Sequence, residues 1–97
     1  MPSIDEILER LRLHKERLAC RYGIKKIGLF GSYARGEASE DSDVDIAVET
    51  DSPDPFLLVD LQEEIEQILS RKVDLISLKN SFRPLFRQRL ERDWVNV

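Results

Sequence analysis

Cysteine, histidine and tryptophan each occur once in this 97-residue chain, and glycine and proline four times each. A single cysteine, Cys20, cannot close an internal disulfide, which excludes the disulfide-stapled secreted class and fits a reducing cytoplasm. No base lies near it in sequence, so it reads as a packed thiol rather than a nucleophile. The lone His14 has no partners that would make it a metal ligand and reads as a structural or exposed helix position. No apolar run approaches the roughly 20 residues that span a bilayer. The first residues, MPSIDEILER, are an acidic helix start rather than a basic and apolar signal segment. Most informative is the absence of Lys and Arg from residues 36–70, a stretch that holds twelve acids. The flanks, 1–35 and 71–97, each carry a balance of +4 against −12 in this middle, for −4 overall. Such a middle is poor equipment for tracking a nucleic-acid backbone, so no direct nucleic-acid binding is expected.

What is present is a soluble composition, 41% hydrophobic and 35% charged. It predicts one domain over 1–97 with a single modest core. No repeat, low-complexity tract or linker divides it. Glu37, Glu40, Asp41, Asp51, Glu63, Glu64 and Glu66 read as a solvated face.

Residues 27–49, IGLFGSYARGEASEDSDVDIAVE, organise the rest. An apolar run, Ile27-Gly28-Leu29-Phe30, breaks at Gly31-Ser32. An alternating run then begins at Asp43, and alternation marks a strand whose two faces meet different surroundings. Val44, Ile46 and Val48 point one way. Asp43 and Asp45 point the other, roughly 7 Å apart at their Cα atoms. Two unpaired carboxylates side by side raise each other's proton affinity, and a hard divalent cation such as Mg²⁺ relieves the repulsion. A glycine after a strand lets a ligand approach the backbone closely. Amides at Gly31-Ser32 then form a seat for phosphate. A phosphate seat beside paired metal carboxylates is what a metal-bound nucleoside triphosphate needs.

Gly31-Ser32, ten residues, then Asp43-Val44-Asp45 resembles the signature of the DNA polymerase β-like nucleotidyltransferase superfamily. The fuller run GSYARGEASEDSDVDIAV is similar to the minimal nucleotidyltransferases (the MntA-like antitoxins), which are often encoded beside a HEPN-domain protein. The resemblance implies an α/β (α+β) fold: a small mixed β-sheet of polymerase β-like palm type, with helices on one face. It also supplies a third acid, for which Asp74 is the candidate.

The remaining elements are predicted from periodicity. Ser3 and Glu6 form a capping box for a helix over 4–21 that Gly23 ends. A strand covers 25–30, a short helix 32–36 displays Tyr33 and Arg35, and a second strand covers 43–49. Arg35 either contacts phosphate or pairs with an acidic neighbour. Asp54-Pro55 start a helix over 56–70, closed by Arg71-Lys72. A third strand covers 73–76. Asp74, between apolar residues, should turn away from the dry core toward Asp43 and Asp45, as metal ligand or base. The alternative is a strand-edge acid paired with a lysine. A last helix runs from Ser81 or Phe82 to Trp94, with Pro84 in its first turn. Its Arg83, Arg87, Arg89 and Arg92 either reach a triphosphate or partner, or are ordinary surface arginines.

The expected activity is Mg²⁺-dependent transfer of AMP from ATP to a hydroxyl, with Asp43, Asp45 and Asp74 as catalytic and metal residues and Gly31, Ser32 and Arg35 on the phosphates. The resemblance implies a tyrosine of a HEPN toxin as acceptor. An uncovered sheet face makes a shallow site, so a partner or a second copy of the chain is expected to complete it. Two alternatives stand beside this: a module that silences a HEPN partner by contact alone, and a small-molecule nucleotidyltransferase.

Overall fold

The computed structural model describes residues 3–39, 41–51, 54–80 and 84–97. Ser3 caps the first helix through its hydroxyl, which accepts the Glu6 amide at 3.3 Å. Helix α1 spans Ile4–Tyr22 and buries Ile7, Leu8, Leu11, Leu18 and Tyr22 along one side. Gly23 ends it in the left-handed region and returns its amide to the Ala19 carbonyl. Strand β1 (Ile24–Phe30), helix α2 (Gly31–Arg35), strand β2 (Val44–Thr50) and helix α3 (Pro55–Leu69) follow in order. The Asp54 side chain caps α3 through the Phe56 amide. Strand β3 (Val73–Ser77), a single 3-10 turn (Leu78–Asn80), helix α4 (Pro84–Asp93) and strand β4 (Val95–Asn96) complete the chain. The proposed helix start at Ser81 or Phe82, along with Arg83, falls outside the described residues, as does Glu40.

The sheet order is β3-β2-β1-β4. β1 runs antiparallel to both β2 and β4, and β2 runs parallel to β3. The sheet is therefore mixed, as expected. The parallel pair needs a crossover, and α3 is its helix. Ile27 and Leu29 of β1 and Val44, Ile46 and Val48 of β2 join α1 and α3 in one core.

Helices α1 and α3 are also tied by polar contacts. The Tyr22 hydroxyl donates to Glu64 at 2.6 Å, and Arg17 lies 3.3 Å from the same carboxylate. Burial first, and then the bond and charge of Glu64, push the Tyr22 phenol up to about 12. Glu66 accepts the Val73 amide at 3.0 Å and so joins α3 to β3. The expected solvated face thus loses Glu64 and Glu66 to structural work. Helical spacing alone does not say which acids meet a neighbouring element.

The opposite sheet face is partly covered. A side chain at Gly28 would occupy the place of the Trp94 indole. Lys26 stands 4.9 Å from that ring, and Phe86 meets Phe30 edge-on with 6.1 Å between centroids. Trp94, expected on the last helix, lies beyond its end at Asp93. Val95 and Asn96 pair with Leu29 and Gly28 instead of continuing the helix. A glycine inside a strand signals such a close approach.

Candidate active site

The turn at Gly31 brings the site together. Phe30 is extended, and Gly31 adopts φ +75, a conformation that side chains rarely take. A Cβ at Gly31 would collide with the Asp45 carboxylate. The bend from β1 into α2 therefore sits directly against the second acid of the Asp-Val-Asp run. Register explains why: Asp45 is opposite Phe30 on β1 and opposite Asp74 on β3. Residues facing one another across strands share a sheet face, so Asp45 and Asp74 lie side by side.

Asp45 is half-buried and Asp74 is exposed. Asp43 is exposed too and stands one residue before β2 rather than within it. Burial, and then the charges of Asp74 and Asp43, raise the Asp45 carboxyl to about 6, with Arg35 opposing. The charges of Asp43 and Asp74 are thus both felt at Asp45. The oxygens of these carboxylates are the hard donors that Mg²⁺ prefers, and the repulsion felt at Asp45 is what a cation would remove. Among the described residues, no three acidic, histidine or cysteine side chains converge closely enough to hold an ion as they stand.

Arg35 does what the second of its two sequence readings describes. Its guanidinium donates to Asp93 at 2.7 Å and to Glu37 at 3.0 Å. Asp93, with its side chain 6% exposed, also meets Arg92. The Arg35–Asp93 contact ties α2 to α4. Tyr33, expected on display, is 2% exposed in the core, and its buried hydroxyl has no hydrogen-bond partner among the described residues. Cys20, expected to be packed, is exposed, and His14 is half-buried. Sequence reasoning missed Asp93, whose only signal was its place among the arginines of the last helix.

The model of a nucleotidyltransferase domain matches residues 11–96. The chain belongs to the nucleotidyltransferase domain family. A Methanocaldococcus jannaschii protein, provisionally named a protein adenylyltransferase, is 45% identical over the whole of both chains. The protein adenylyltransferase MntA of Thermococcus cleftensis is 41% identical, over all of this chain and 98% of its own. A crystal structure of a toxin–antitoxin with AMP-PNP superposes with a TM-score of 0.71 at 26% identity, over 87% of this chain and 69% of that one. The chain is accordingly a nucleotidyltransferase of the MntA-like, minimal kind, and its mixed sheet is the fold of that family. No helix among the described residues is long and apolar enough to cross a membrane.

Proposed function

We propose that this nucleotidyltransferase moves AMP from magnesium-bound ATP onto a tyrosine hydroxyl of a HEPN-domain toxin and thereby acts as its antitoxin. The observation that carries the reading is the packing of Asp45 against the Gly31 bend, with Asp74 beside it in register. The bend offered as the phosphate seat then adjoins Asp45 directly. Asp43 and Asp45 would hold two magnesium ions, with Asp74 as a further ligand on the acceptor side. Bound magnesium would neutralise the triphosphate and the departing pyrophosphate. The Ser32 hydroxyl and the amides of the bend take the terminal phosphates. Arg35, held by Asp93 and Glu37, lends its positive charge from that position. Asp74, exposed at the sheet edge, receives the acceptor's proton. Protein as the acceptor class is supported by the names of the two adenylyltransferase relatives, and a toxin partner by the toxin–antitoxin structure. The HEPN class and the tyrosine rest on the sequence resemblance.

The test is incubation with the HEPN protein, Mg²⁺ and ATP labelled at the α-phosphate, for wild type and for Asp43→Asn/Asp45→Asn. Label on a toxin tyrosine, absent with the double variant, is the expected result. Neutralisation without label, equal in both proteins, would show an antitoxin that works by contact alone.

A further inference from the structure

A second feature adjoins the acids on the β3 side of β2, the strand that separates it from β1. Asp41, Ser42 and Asp43, leading into β2, face Ser70, Arg71 and Lys72, leading into β3, across a cavity of about 310 Å³. Its two banks are joined at the base by the Val44 amide, which donates to the Lys72 carbonyl at 3.0 Å. Ser70, at φ 55, turns the chain out of α3 so that Arg71 and Lys72 form the wall. Arg71 is braced, its guanidinium carbon 5.9 Å from the Tyr33 ring centroid. Lys72 is exposed. These are the first cations after the 35 residues that have none. One bank is thus anionic and the other cationic, with Asp43 belonging to both the groove and the acid site.

The sheet order gives this groove its direction. β2, which carries Asp45, lies between β1, which ends at the Gly31 bend, and β3, which carries Asp74 and opens the groove. In a phosphoryl transfer the attacking and leaving oxygens lie roughly in line on opposite sides of phosphorus. With pyrophosphate leaving toward the Gly31 bend, the attacking hydroxyl enters from the β3 side. We infer that the groove receives the polypeptide segment bearing the acceptor hydroxyl, and that Lys72, with Arg71 beside it, selects a segment with acidic residues next to that hydroxyl. This rests on the transfer reading above. In the step itself the acceptor oxygen bonds the α-phosphorus and the bond from that phosphorus to the bridging oxygen breaks. Pyrophosphate leaves with the electron pair, and the hydroxyl proton passes to Asp74.

The test uses three synthetic tyrosine peptides that differ only in the two residues after the tyrosine: glutamates, alanines or lysines. Transfer from α-labelled ATP is measured with wild type and with Lys72→Glu, a change at an exposed side chain whose backbone carbonyl still serves Val44. Wild type is expected to prefer the glutamate over the lysine peptide by about 5-fold in kcat/KM, and Lys72→Glu to abolish or reverse that preference. A Lys72→Glu protein with the wild-type preference order overturns the inference. So does a uniform loss across the peptides with a raised KM for ATP, since the wall would then belong to the nucleotide. Metal-dependent release of labelled AMP to water needs no acceptor and is followed in parallel. If release persists while no peptide is labelled, the groove assignment alone falls. If neither occurs, the transfer reading falls with it.

Discussion

Val44, Ile46 and Val48 are 0% exposed on the face of β2 that meets α1 and α3, whereas Asp45, next to Ile46, holds a half-buried carboxylate among like charges. The same strand thus has one face where every contact lowers the free energy of the fold and one where repulsion is retained. On the apolar face, close packing makes any lost volume costly. On the acidic face, desolvation disfavours ionisation until a cation arrives. Stability and chemistry are divided by the pleat of a single strand. Changes on one face should therefore move stability with little change in the activity of folded molecules, and changes on the other should do the reverse.

The largest separation is expected for Asp45→Asn. Nucleotidyl transfer should fall by about 10²–10⁴-fold, the range for losing a charge-positioning or acid–base group. Thermal melting should show a fold at least as stable as the wild type. A variant that transfers label at the wild-type rate would remove the acidic face from the chemistry. Ile46→Ala works on the other face. Urea unfolding should show a loss of about 3 kcal/mol from the cavity it leaves, while the rate per folded molecule stays within about twofold.

Next come two glycines that share a left-handed backbone but differ in surroundings. Gly36→Ala has nothing within 4 Å of the new methyl and should cost only the backbone strain, about 1 kcal/mol, with transfer retained. Gly31→Ala adds a collision with Asp45 to the same strain, so stability and transfer should both drop further. Equal effects of the two would mean that the Gly31–Asp45 contact is not part of the site.

The smallest effect is in pH. Because the folded Asp45 carboxyl is raised to about 6 above its ordinary range, protonation favours the folded state. This contribution is complete below about pH 4, where the unfolded chain is protonated too, and is lost as pH rises through about 6. In chelator, Asp45 should therefore make the wild type gain about 1 kcal/mol on going from pH 7.5 to 5, a figure reduced for the solvent around a half-buried group. The comparison is with Asp45→Asn, which should lack this increment, and the readout is the urea midpoint at each pH. Addition of Mg²⁺ at pH 7.5 should recover part of it.

Much of this division was legible in the chain. Strict alternation from Asp43 onward sorted aliphatic residues from acids, because β side chains alternate with a period of two. Ser3 with Glu6, Gly23, and Asp54-Pro55 announced helix ends through local hydrogen bonding, and those ends appear in the fold. Trp94 was misplaced because helical spacing continues past Asp93. Nothing local says that Val95 and Asn96 will pair with β1 across more than sixty residues. The roles of Glu64 and Tyr33 were hidden for the same reason, since each depends on a neighbour from a distant part of the chain, whereas Glu66 meets the Val73 amide only seven residues on, where β3 begins.

By itself, then, the amino-acid order determined which residues could bend, alternate, cap and carry charge, since these follow from backbone sterics and from groups a few positions apart. Only the tertiary structure decided which of them meet. Parallel pairing set Asp74 beside Asp45, antiparallel pairing set Gly31 against the same carboxylate, and the α3 crossover brought Lys72 opposite Asp43. Contacts of that kind arise from burying one common core, and no local property of the chain specifies them.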